Sequence, residues 1–122
     1  MTWLAIFIGG GLGSLARYGF GLLSGKLYAG HFPLGTFLSN LTSCIVLGVF
    51  VLFFASKNQL NEAYKALVLV GFCGGFSTFS TFSFETLNLM KSGEWGWVIA
   101  NVLLSILVCL GVLYFISRFQ SV

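Results

Sequence analysis

Between Gly71 and Glu85 the chain sets Phe76, Phe79 and Phe82 among the hydroxyls of Ser77, Thr78, Ser80, Thr81 and Ser83, with Gly74 and Gly75 just before them. Phe79 and Phe82 are one helical turn apart. Thr78, Thr81 and Glu85, at i, i+3 and i+7, form a polar stripe beside them. An aromatic ring is negative on its face and positive at its edge, so ring edges next to hydroxyl donors favour an anion. Phe at helical spacing in a membrane segment ordinarily means packing, but five interleaved hydroxyls ask for more. Free backbone carbonyls at a glycine break could meanwhile hold a cation.

Other polar groups stand in otherwise apolar runs. Asn40, followed by Thr42 and Ser43, needs partners for its amide. It either joins helices or presents its NH₂ to an anion. Asn101, Ser105 and Cys109 recur every four residues, a line along one helix face. That line serves interhelical hydrogen bonding or a track along which an ion exchanges partners. Arg17 either snorkels to lipid headgroups or lends positive potential to an aqueous vestibule. Gly9 and Gly13, like Gly21 and Gly25, have the spacing that lets helices approach closely, and packing is the preferred reading.

Catalysis finds no support. The single histidine, His31, has no cysteine or carboxylate nearby in sequence for a triad or metal cluster. The Gly9-Gly10-Gly11-x-Gly13 run lies within an apolar span rather than between a strand and a helix, so it is no phosphate loop. Cys44, Cys73 and Cys109 are far apart and read as small buried hydrophobes. Six basic and three acidic side chains are too few and too scattered for a nucleic-acid surface.

These groups must be held by membrane-spanning helices. The 122 residues are 57% hydrophobic and 7% charged, with a mean hydropathy of +0.98, where soluble domains carry about 25% charge. Apolar stretches run from Trp3 to Leu23, Leu34 to Ala55, Ala63 to Met90 and Gly96 to Ser117. Each reaches the roughly 20 residues needed to cross a bilayer. The first, without a basic leader or a small-residue cleavage site, reads as a retained span, and a bacterial-type inner membrane is the simplest home. Pro33 suits the first turn of the second helix, and Trp3, Trp95 and Trp97 suit the interfaces. The third stretch would make about 42 Å of straight helix, longer than the hydrocarbon core, which predicts a break near Gly74 and Gly75.

Loop charge leaves the orientation open. Lys57, Lys65 and Arg118 fall on one side, and Lys26, Lys91 and Arg17 on the other. Such a chain could insert both ways and pair as an antiparallel dimer, or be a monomer of fixed orientation. Four helices fill their own centre with side chains, so a conduit is expected from a homodimer.

At these residues the chain resembles the Fluc (CrcB) family of small fluoride channels. The likeness runs through Gly9-Gly10-Gly11-x-Gly13-x-x-x-Arg17-Tyr18, Pro33-Leu34-Gly35-Thr36-x-x-x-Asn40 and Gly71-Phe72-Cys73-Gly74-Gly75-x-Ser77-Thr78-Phe79-Ser80-Thr81-Phe82-Ser83. It implies an all-α, dual-topology antiparallel homodimer with four spans per subunit, a broken third helix and two parallel pores for passive fluoride export. It implies pore-lining rings at Phe79 and Phe82, a pore amide at Asn40, and a hydroxyl track through Ser80, Thr81 and Ser105; the four-residue spacing on the fourth span adds Asn101 to that path. It also implies a structural sodium ion at the dimer centre, held by the backbone carbonyls of Gly74 and Ser77. The family often has Thr where this chain has Ser77, a change that a carbonyl ligand survives. Relatives can place Tyr and Ser where Asn101 and Cys109 stand. Fluoride is small and strongly hydrated, so close hydroxyl, amide and ring-edge donors must offset its dehydration.

The alternatives are a small multidrug-type, proton-coupled cation exporter and a non-transporting subunit of a larger membrane complex. The exporter wants a deep carboxylate. The first span has none, and Glu85 lies past the glycines towards an interface.

Overall fold

A computed structural model of the protein describes residues 1–55 and 61–119. The described residues are helical and include no strand. In chain order the elements are α1 (Thr2–Leu27), α2 (Leu34–Phe50) with a π-helical continuation (Val51–Ala55), and α3 (Glu62–Lys65) running into a π-helical stretch (Ala66–Cys73). Then come the single turn α4 (Gly74–Phe76), α5 (Phe79–Lys91) and α6 (Trp95–Ser117). Among the described residues, Thr2–Leu27, Leu34–Phe54, Glu62–Lys91 and Trp95–Ser117 are long and apolar enough to cross a membrane. The molecule is a multi-pass membrane protein. Lys57, counted in the loop-charge balance, lies outside the described residues.

Local chemistry sets the ends. Pro33 is the N-cap of α2 rather than its first helical residue, and its carbonyl accepts from the Phe37 N–H at 3.1 Å. The Asn61 side chain caps α3 by accepting from the Ala63 N–H at 3.0 Å. After α5, Gly93 takes φ +74°. Its N–H donates to the Met90 carbonyl at 3.0 Å, and that of Glu94 to Leu89 at 2.9 Å, closing the helix as a Schellman turn.

The third stretch, 30 residues from Glu62 to Lys91, lies against α1 through glycines. A Cβ on Gly9 would meet the Leu67 carbonyl oxygen at 2.2 Å, and one on Gly13 the Phe72 oxygen at 2.2 Å. Only glycine permits backbones this close. A Cβ on Gly21 or Gly25 would meet nothing within 4 Å among the described residues, but one on Gly35 would stand 3.1 Å from the Gly21 Cα, so at the second glycine pair it is Gly35 of α2 that comes close to α1.

The two central glycines also need a correction. Gly74 keeps helical angles, φ −64° and ψ −36°, and Gly75 lies within α4. A Cβ on Gly75 would stand 2.5 Å from the Gly10 oxygen. Close approach to α1 explains that residue. The chain leaves the helix later, at Ser77 (φ −80°, ψ 154°) and Thr78 (φ −151°, ψ 121°), both extended. Side chains with hydroxyls, rather than glycines, occupy the irregular backbone, because each hydroxyl can bond a freed main-chain group.

Polar residues face inward and apolar ones outward. Ser24, Ser39, Ser43, Thr86, Asn101 and Ser105 are buried, while Trp3, Phe7, Leu15 and Leu107 are exposed. That inversion suits a solvent of lipid tails. Phe76 is the largest apolar plug, packed edge-on to Phe20 at 5.0 Å and Phe72 at 5.4 Å between ring centroids.

Candidate functional site

The site is built around the two extended residues between α4 and α5. Extended backbone inside a helical bundle frees N–H and C=O groups that must find partners. Asn40, from the middle of α2, supplies two. Its Oδ1 accepts from the Thr78 N–H at 2.7 Å, and its Nδ2 donates to the Thr78 carbonyl at 3.4 Å. The side-chain amide thus pairs with Thr78 as a neighbouring strand would. The second N–H of its NH₂ group is left over.

The neighbouring carbonyls are held one by one. That of Cys73 accepts from Ser43 Oγ at 3.0 Å, Ser77 Oγ at 2.8 Å and the Ser77 N–H at 3.0 Å. That of Gly75 accepts from Arg17 Nε at 3.3 Å. Among the described residues no hydrogen bond reaches the carbonyls of Gly74 or Ser77. Thr78 then caps α5, its Oγ1 accepting from the Thr81 N–H at 3.1 Å. The positive end of α5 therefore opens beside these groups.

Outside this segment lies a groove of about 300 Å³, lined by Asn40, Cys44, Ser77, Thr78, Phe79, Phe82, Ser105, Ile106 and Cys109. The Phe79 and Phe82 rings stand 5.9 Å apart, tilted by 37°. Phe82 is half-buried and Phe79 is 80% exposed. Among the described residues no carboxylate lines the groove. Hydroxyls, an amide and aromatic rings around a carboxylate-free cavity can replace water around a small anion.

The family model described as CrcB-like protein, Camphor Resistance (CrcB), matches residues 4–116. The chain belongs to this CrcB-like family. It is 41% identical over 107 residues to the fluoride-specific ion channel FluC 1 of Yersinia pestis, across 86% of this chain and 82% of that protein. With the fluoride-specific ion channel FluC of Magnetococcus marinus it shares 45% over 112 residues, 89% of this chain and 87% of the relative. With that of Escherichia coli K12 it shares 42% over 106 residues, 85% and 81%.

In this CrcB-like chain the groove gathers Asn40, Ser77, Phe79, Phe82 and Ser105, all singled out in the sequence. Ser80 is exposed, its hydroxyl 3.4 Å from that of Thr78. Thr81 turns to the other side of α5, into a cavity of about 210 Å³ shared with Arg17, Tyr18, Thr36 and Ser39. Glu85 follows on that side, accepting a hydrogen bond from Thr36 Oγ1 in the first turn of α2. The supposed single stripe of Thr78, Thr81 and Glu85 is therefore divided between two faces of α5.

Two further readings change. Arg17 is not near a span end, because α1 continues to Leu27. Its guanidinium bonds the Gly75 carbonyl, so snorkelling to headgroups is not its position here. Asn101 is 1% exposed and does not reach the groove. Its Nδ2 donates to Thr86 Oγ1 at 2.9 Å, Thr86 Oγ1 donates to the Phe82 carbonyl at 2.7 Å, and Ser105 Oγ donates to Asn101 Oδ1 at 3.4 Å. Asn101 thus ties α6 to α5 through Thr86, whose hydroxyl holds the Phe82 main chain.

Sequence reading passed over Ser39 and Thr86, and it took Cys44 and Cys109 for buried hydrophobes, whereas only Cys73 is buried and the other two are half-buried and line the groove. Cys44 is one turn after Asn40 and Thr86 one turn after Phe82, so helical spacing from residues already chosen would have found both. Ser39 is fully buried, and its Oγ has no hydrogen-bond partner among the described residues. No spacing pointed to it.

Proposed function

We propose that this protein is a fluoride channel, conducting the ion passively along the groove between α2, α5 and α6 and so lowering fluoride toxicity in the cell. The observation that carries the reading is the groove itself: the spare N–H of Asn40, the Thr78 hydroxyl, the Ser77 and Ser105 hydroxyls once they turn from the Cys73 carbonyl and Asn101, and the Phe79 and Phe82 rings, with no carboxylate among them. The printed names of the relatives, fluoride-specific ion channels, supply the ion. Fluoride enters as it exchanges water for these donors, and it leaves because none of them is a full positive charge. Arg17, bonded at Gly75, adds positive potential without facing the ion directly.

Phe79, with its ring open to the outside, marks the groove as half of a conduit. A second, oppositely inserted copy in the same inner membrane supplies the other half, giving an antiparallel homodimer with two pathways. Balanced loop charge permits both insertions. Sodium fits the same segment. The carbonyls of Gly74 and Ser77, without donors among the described residues, have lone pairs free for a hard cation. Bound there, sodium would supply positive charge between the copies. The cation-exporter reading lacks its deep carboxylate, since Glu85 pairs with Thr36 at the start of α2.

Fluoride efflux from liposomes, followed with a fluoride electrode, tests the proposal. Wild type releases fluoride without a proton gradient, and Phe79→Ile and Phe82→Ile release it far more slowly while remaining dimeric by cross-linking. Passive release that is unchanged in both variants removes the rings from the pathway, and no release from wild type removes the channel.

A further inference from the structure

The fold brings together two thiols that the sequence separates widely. Cys44 on α2 and Cys109 on α6, two helices packed against each other, both line the groove, and both are half-buried and free. Cys73 is buried and does not line it. We propose that Cys44 and Cys109 form a binding site for a soft, two-coordinate metal cation of the mercuric class, and that its occupation closes the ion pathway. The closure rests on the channel reading; the binding does not.

The donor set selects the ion. Thiolates prefer soft cations, and the groove has no carboxylate for calcium or magnesium. Zinc almost always takes four ligands in structural sites. Among the described residues no three His, Cys, Asp or Glu side chains stand together. A mercuric ion is satisfied by two sulfurs. Each thiol gives its proton to water in the groove, two S–Hg bonds form, and nothing is oxidised or reduced. Two thiolates cancel the double charge, so the product is neutral and suits a cavity shared with Phe79, Phe82 and Ile106. The metal would then sit in the same cavity as Asn40 and Ser105, across the path that the anion takes.

The experiment titrates purified protein with mercuric nitrate in chloride-free buffer, reading mercury–thiolate absorbance, and in parallel measures fluoride efflux from liposomes with and without the metal. Wild type should bind one equivalent per chain and lose its efflux, and dithiothreitol should restore it. Each variant serves as its own reference. Cys73→Ser should behave like wild type, and the double variant Cys44→Ser/Cys109→Ser should lose both the absorbance and the sensitivity. A double variant still bound and blocked, or a wild type that binds no metal, overturns the proposal. Protein that releases no fluoride before metal is added overturns the channel reading instead, while the absorbance titration still decides the thiol site.

Discussion

Replacing Asn40 with Asp isolates the electrostatic part of the mechanism from the structural part. Asp keeps the oxygen that accepts from the Thr78 N–H, the shorter of the two Asn40 bonds at 2.7 Å. It loses the donor to the Thr78 carbonyl, a longer bond at 3.4 Å, and leaves that carbonyl without a partner, so the loss of stability should be about 1–3 kcal/mol. Conduction should suffer more. An ionised carboxylate about 4 Å from a passing anion repels it by about 4 kcal/mol at the effective dielectric of a protein near water. Every 1.36 kcal/mol of barrier is about tenfold in rate, so efflux should fall by about a thousandfold. Lower pH protonates the carboxyl and removes the repulsion, so efflux through Asn40→Asp should rise as pH falls. Liposome efflux measured across pH, beside thermal denaturation of the same protein, makes the comparison. Wild-type efflux from a stable Asn40→Asp dimer at neutral pH would refute the placement of that amide beside the ion.

Glycine substitutions separate contact from open surface. Gly13→Val should cost about 3 kcal/mol or more, read as loss of folded protein on gel filtration, because even its Cβ meets the Phe72 oxygen at 2.2 Å. Gly11→Ala, with nothing within 4 Å, should instead stabilise α1 by about 1 kcal/mol in thermal denaturation. Asn101→Leu should destabilise by about 1–3 kcal/mol by stripping Thr86 and Ser105 of their partner. Its efflux should drop through a misplaced Phe82, with fluoride still preferred over chloride. Gly93→Ala, at φ +74°, should cost about 1 kcal/mol in the same melt without altering efflux.

Much of this could be read from the chain, and the failures have physical causes. Apolar length gave the four helices, and the interleaved Phe and hydroxyl residues marked the groove, because both depend on local periodicity. The position of the helix interruption did not follow from glycine. Gly75 is needed by α1, a neighbour that periodicity cannot see, and the extended residues are those whose freed groups find hydroxyl and amide partners. Asn101 and Arg17 were left between two readings for a related reason. A polar residue in a span must be satisfied, but spacing does not say whether by an ion, by Thr86 or by the carbonyl of Gly75.

The pairing of Asn40 with Thr78 has a bearing on how the chain assembles. An unpartnered amide and carbonyl in hydrocarbon cost several kcal/mol, and their partner here belongs to a different helix, 38 positions earlier. Until that helix docks, the cheapest state of Glu62–Lys91 in a bilayer is one unbroken rod. The bend at Ser77 and Thr78 is therefore favoured only once α2 lies beside it, and a chain lacking the Asn40 amide would have reason to keep the rod.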